Sequence, residues 1–365
     1  MTTSTPIRQI AISKPHIGEE EKAAVMAVLD SGQLVQGSVV AEFEAAFAAY
    51  CGVKHAIASA NGTTALTIAL MAAGIKQGDE VIIPSFSFAA TATSVLSASA
   101  VPVFADVEDQ TFCLDPEKVE AAITPRTKAI MPVHLYGHPA NLVALQKIAD
   151  KHGLIVIEDA AQAHGAQICE QRVGSFGVGA FSFYPSKNMT TGEGGMTTTN
   201  DDEIARRARM IRQHGMSTTY YHEVIGYNFR MTNIHAAIGR EQIKKLEGWN
   251  NARIANGTYL NQHLTRVRPP VISEGCRHVF HQYTVLVDET DDRDAMLKRL
   301  NERGIMARVY YPLPIHRQPI FLELGYGNVE VPVSEALTKR VMSIPVHPSL
   351  SQEDLEYMVD EVNAL

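Results

Sequence analysis

Cysteine is scarce in this sequence: Cys51, Cys113, Cys169 and Cys276 are the only four in 365 residues, and no two form a Cys-x-x-Cys pair. That spacing argues against a zinc ribbon and against a disulfide framework, so reduced thiols in a cytoplasmic protein are expected, with no bound metal. Long apolar runs are missing too. No stretch reaches the eighteen or so uninterrupted apolar residues of a membrane span, and the stretch Met1 to Arg8 has no basic segment followed by an apolar one. A protein that neither crosses a membrane nor is exported is expected. Positive charge is in deficit, with 32 Lys and Arg against 40 Asp and Glu for a net charge of -8. A field of that sign repels nucleic acid and anionic membranes, so an anionic ligand has to be held by local donors. Internal repeats, low-complexity tracts and heptad arrays are also absent.

What remains is an ordinary globular composition, 45% hydrophobic and 20% charged, long enough for one large and one small domain. From about residue 55 to 215 short apolar runs alternate with helical patterns, as βαβ units of a mostly parallel sheet do. The runs are 55–59, 80–84, 101–105, 128–132, 154–158, 179–183 and 195–199, which predicts a seven-stranded sheet flanked by helices. A connecting helix is expected over Asn233–His263, with Ala236, Ala237, Ile238, Ile243 and Leu246 as its buried stripe. Beyond Arg266–Pro270 the pattern predicts strands at His281–Val287 and Ile305–Tyr310, a helix at Asp291–Arg303 and a last helix from Gln352. The expected division is a large domain over 1–249 and a smaller C-terminal α/β domain over 250–365.

Three features carry chemistry. The apolar run from Leu154 delivers Glu158 and Asp159 at its carboxyl end, where open α/β sheets bind ligands, although a lone Asp there also caps turns. The run 179–183 leads through Pro185 to Lys187 on a loop rich in Gly and Thr; a lysine readily loses its proton on burial, and a neutral amine forms Schiff bases. Asn61-Gly62-Thr63-Thr64 joins a strand to a helix, whose first turn offers free N–H groups and a positive dipole end to a phosphate. Ser182 and the Gly226–Arg230 segment add donors. Each alone is ordinary. Jointly, a phosphate cradle, a strand-end Asp and a lysine 28 positions later are what pyridoxal phosphate (PLP) needs.

With these segments the sequence resembles the DegT/StrS sugar aminotransferases, of the fold-type-I PLP class. The resemblance runs nearly end to end, through Ser31–Gly37, Ala60–Ala65, Pro84–Thr91, Pro132–Gly137, Glu158–Gly165, Ser182–Lys187, Gly192–Gly195 and Gly226–Asn233. It implies that Lys187 carries the cofactor as a Schiff base, that Asp159 pairs with the pyridinium and that Gln162 bonds the ring hydroxyl. It further implies that Phe88 stacks on the ring, that Gly62, Thr63 and Ser182 hold the phosphate, and that Asn228 reaches it from the second subunit of a homodimer. Thr190–Met196 and Tyr220–Asn233 are similar to the perosamine synthase branch, which aminates C4 of a GDP-linked 4-keto-6-deoxy sugar; branches acting at C3, or on UDP- or dTDP-sugars, share the downstream motif. The implied reaction moves the amino group of L-glutamate to a nucleotide-linked keto sugar, and a keto-cyclitol transaminase or a PLP-binding regulator without turnover are the alternatives. Tyr311, His316 and Arg230 are candidate substrate contacts. His134 and His164 stand between catalysis and packing.

Overall fold

Seven apolar stretches become one sheet because each is buried on both of its faces, which removes any need for alternation. In the computed structural model, which describes residues 8–365, they are β1 (His55–Ser59), β2 (Glu80–Pro84), β3 (Val101–Ala105), β4 (Thr127–Ile130), β5 (Ile155–Asp159), β6 (Val178–Ser182) and β7 (Gly195–Thr199). The reading of the amino-terminal stretch falls, Arg8 apart, outside those residues. The strand order is β1-β7-β6-β5-β4-β2-β3. Strands β2 to β6 run parallel, and β7 is antiparallel to both β6 and β1. The mostly parallel seven-stranded α/β sheet is therefore as expected, with β5 and β6 each shifted by one residue from the apolar run and β4 starting one residue earlier and ending two residues earlier than its run.

Strand β6 lies beside β5 for a specific reason. Glu158, fully buried on β5, accepts the backbone N–H groups of Gly174 at 2.6 Å, Phe176 at 2.9 Å and Gly177 at 3.1 Å, and bonds His134 Nε2 at 3.2 Å. One carboxylate thus ties down the turn that launches β6. Gly177 makes the close approach: a Cβ there would lie 2.1 Å from the Val156 carbonyl oxygen on β5. His134 accepts the Ala140 N–H on Nδ1 at 3.0 Å, so both ring nitrogens serve packing rather than a cleft.

Beyond the sheet, the 31-residue helix Asn233–His263 runs unbroken through positions 249 and 250. Ala236 and Leu246 pack in the core around the sheet, whereas Leu260 packs in a second core with Tyr283, Leu300, Met342 and Met358. We propose the division into 1–249 and 250–365 across this shared helix. Of its expected stripe, Ala236, Ala237 and Leu246 are buried, and Ile238 and Ile243 half-buried. The second core is built on β8 (Tyr283–Leu286) paired antiparallel with β9 (Val341–Ile344), under the helices Arg293–Glu302 and Gln352–Asn363. This corrects the expectation of a strand at Ile305–Tyr310. That stretch makes only isolated bridges, Ile305 with Ile10 and Arg308 with Ser343, because its neighbour changes along its length; the four residues of β9 follow directly on a helix and give no strand-length signal. Among the described residues no helix is long and apolar enough to cross a membrane.

Replacing Glu158 by Ala orphans three N–H donors at once, one of them buried and two half-buried. The variant is expected to lose about 3–5 kcal/mol of stability in urea unfolding.

Candidate active site

The carboxyl ends of β5 and β6 open into a cavity of about 1090 Å³, with Asp159, Ser182 and Lys187 on its wall. Asp159, the last residue of β5, is 5% exposed; its Oδ2 accepts the Thr91 hydroxyl at 2.8 Å and its Oδ1 the Ala161 N–H at 3.3 Å. Burial raises its pKa, against the pull of those two donors and of Lys187. Lys187 follows β6 on a loop closed by its own N–H to the Tyr184 carbonyl at 2.9 Å. Burial of the amine lowers its pKa from 10.5 to about 8, and only the Asp159 charge holds it up. A lysine so tuned is roughly one-tenth neutral at pH 7.

Opposite these two lies the start of the helix Gly62–Ala72. Asn61 caps it by accepting the Thr64 N–H at 2.9 Å, and Thr64 Oγ1 in turn accepts the Asn61 N–H at 3.1 Å. The cap spends the third N–H of the helix. Those of Gly62 and Thr63 stay without a partner among the described residues, at the positive end of the dipole and on the cavity wall. Gly62 is required there by contact, since a Cβ would meet the Cβ of Ser182 at 2.6 Å. Phe88 stands 58% exposed on the wall, its ring 6.1 Å from that of Tyr311. Gln162 accepts the Tyr136 N–H at 2.7 Å and donates to the Tyr311 hydroxyl at 3.0 Å, which fixes its amide on the wall.

Not every expected residue is here. His316 is fully buried away from the wall, with Nδ1 2.7 Å from Ser85 Oγ and Nε2 3.1 Å from Glu335 Oε1. Both ring nitrogens are engaged, so the expected substrate contact is corrected to a clamp between the Pro-rich loop and the end of β2. Asn228 and Arg230 bond each other at 3.0 Å on the outside of the chain, off the cavity wall. His164 is sealed among Phe47, Phe181 and Phe183. The sequence does not single out Thr91, which orients Asp159, nor His281 and Glu193, which reach the wall; Thr91 and Glu193 lie in the motifs Pro84–Thr91 and Gly192–Gly195, but nothing there marks the Thr91 hydroxyl as turned toward a strand 68 residues on.

The profile of the DegT/DnrJ/EryC1/StrS aminotransferase family matches residues 15–363. The chain belongs to that family. Among sequence relatives of this DegT/StrS aminotransferase, the pleiotropic regulatory protein of Geobacillus stearothermophilus is 44% identical over 94% of this chain and 95% of its own. The GDP-perosamine synthase of Caulobacter vibrioides is 42% identical over 96% of each. The crystal structure of DesV from S. venezuelae, in complex with a ketimine intermediate, superposes with a TM-score of 0.91 at 40% identity, over 95% of this chain and 94% of that one. The protein is a PLP-dependent aminotransferase of the expected fold. Its cavity suits the cofactor: unspent N–H groups and hydroxyls for a phosphate, a buried carboxylate for a ring nitrogen, and a lysine with a depressed pKa for an aldehyde.

In cofactor-free protein, borohydride trapping of an aldehyde on Lys187 should rise with pH to a midpoint near 8, read by mass spectrometry of the reduced peptide. Asp159→Asn removes the one charge that raises the lysine pKa, so it should move the midpoint lower.

Proposed function

We propose that this aminotransferase moves the amino group of L-glutamate to a keto sugar carried on a nucleotide, with Lys187 handling the protons of both half-reactions. The observation that carries this reading is the pairing of a half-buried, partly neutral Lys187 with a buried Asp159 around one cavity. The nucleotide-linked sugar rests on the Caulobacter relative's name and on the motif resemblance around Thr190–Met196 and Tyr220–Asn233; a 4-keto-6-deoxy hexose is the favoured acceptor.

When bound, PLP supplies an electron sink for the negative charge left at the donor's Cα and carries the nitrogen from one substrate to the other. The Lys187 amine would take the Cα proton of glutamate and release it on the cofactor side of the transferred nitrogen; with the keto sugar it would move a proton in the opposite sense. Asp159 holds a proton on the ring nitrogen by a charge-assisted hydrogen bond. Phe88 covers one face of the ring and Gln162 bonds its hydroxyl. Gly62, Thr63 and Ser182 hold the phosphate, joined by Asn228 of the partner subunit in a homodimer. Arg230, beside Asn228, then arrives with it as the guanidinium for a substrate anion, and Tyr311 lines the entrance. We assign the protein to the cytoplasm, in keeping with four unpaired thiols.

The Geobacillus relative's name gives the regulator reading a specific foothold. It predicts cofactor binding without turnover, and the same experiment separates the two. Purified with PLP, the wild type should show a visible cofactor band that L-glutamate converts to the pyridoxamine form and Lys187→Ala lacks. Nucleotide-linked keto sugars, GDP-4-keto-6-deoxymannose first and UDP and dTDP analogues after it, should restore the band; a keto-cyclitol that alone restored it would replace the sugar reading. A band that no donor changes would leave a regulator. Removing Asp159 as Asp159→Ala should cost about 3–5 kcal/mol, or roughly two to four orders of magnitude in rate at saturating PLP.

A further inference from the structure

His281 reaches the cavity wall beside Lys187, and its hydrogen-bond role is dictated from behind. The ring is 6% exposed, with Nδ1 3.3 Å from Asn188 Oδ1. Asn188 is held so that only its oxygen faces the imidazole: its Nδ2 donates to the Val279 carbonyl at 3.1 Å and to Asn250 Oδ1 at 2.8 Å. Asn250 is held in turn by donating Nδ2 to the His164 carbonyl at 2.8 Å. Backbone carbonyls only accept, so the direction of the whole chain is set from its two ends. Asn188 Oδ1 must accept, and His281 Nδ1 must carry the proton.

The ring is also kept neutral. Burial is the largest cause holding its pKa well below the usual histidine range, and the Lys187 and Arg253 charges and the His164 and His278 imidazoles around it act the same way. A neutral imidazole protonated on Nδ1 leaves Nε2 as a bare acceptor, and that atom has no partner among the described residues. An acceptor suits some ligands and not others. Glutamate commits its α-amino group to the transfer and otherwise offers only carboxylates, which have no hydrogen to donate, whereas a sugar offers hydroxyls.

We propose that His281 positions the sugar acceptor, its Nε2 accepting a hydrogen bond from a hydroxyl of the keto sugar while that sugar lies against Lys187. The inference rests on the proposed function and names a residue that separates its two substrates. Because the contact serves only the sugar, losing it affects one half-reaction.

The test starts from holoenzyme converted to the pyridoxamine form with L-glutamate and follows the return of the visible band. With 2-oxoglutarate, which has no hydroxyl, His281→Leu should stay within about twofold of wild type. With the nucleotide-linked keto sugar that the wild type accepts, it should slow at least tenfold, which is about 1.4 kcal/mol. His281→Gln, which restores an acceptor oxygen, should recover part of the loss. Equal losses with both acceptors, or none with the sugar, overturn the proposal. A second measurement is independent of variants that fold poorly: in 15N-histidine spectra of wild-type holoenzyme the assigned His281 ring should be neutral at pH 6 with its proton on Nδ1. A proton on Nε2, or an imidazolium at that pH, overturns it as well. If the wild type accepts no nucleotide-linked keto sugar, the proposed acceptor class fails and its hydroxyl partner with it, while the spectrum still decides the tautomer.

Discussion

The buried carboxylate of Glu158 is the contact on which the site's geometry depends. It gathers the N–H groups of Gly174, Phe176 and Gly177 and so seats β6 against β5. Asp159 ends the one strand and Lys187 follows the other, so the register between these strands sets where the acid stands relative to the amine. The bare approach of Gly177 to Val156 belongs to the same device, because any side chain there would prise the strands apart. A charge with no catalytic duty thereby determines the placement of two that line the cavity.

The cavity also shows how a chain of net charge -8 prepares to hold a phosphate. Among the described residues Lys187 is the single cation on its wall, and burial has already weakened that charge. The remaining positive potential comes from dipoles, the two unspent N–H groups at the start of the Gly62–Ala72 helix. Dipoles are suited to the task because their potential does not fade when a proton leaves, whereas the lysine has to lose its proton to act. Burial acts on Asp159 and Lys187 in opposite directions, raising one and lowering the other, and their mutual attraction offsets part of each shift.

Side chains behind the wall decide what the wall presents. Thr91 points Asp159, Gln162 braces Tyr311, and His316 clamps the loop that carries Tyr311 to the end of β2. The Asn250, Asn188 and His281 chain works alike, except that it transmits a direction of hydrogen bonding rather than a position. Residues of this second kind are hard to find from the wall alone.

The amino-acid sequence by itself determined the sheet and the motifs. Parallel strands buried on both faces read as continuous apolar runs, and the ends of those runs, with a glycine before a helix and a lysine after a Pro-Ser turn, mark where ligands bind. It did not determine which histidine meets the cavity. His316 sits beside aromatic and proline residues in a loop that reads as a binding loop, yet its partner Ser85 is 231 residues away and holds it in the core. His281 reads as the first residue of a strand, and its tautomer depends on carbonyls and amides from three separated segments. Short β9 was unreadable for a like reason, since four residues acquire strand character only from the neighbour they pair with. Local sequence determines which groups end a strand or start a helix; which of them face each other, and with which proton, is a matter of long-range contacts that only the folded chain brings about.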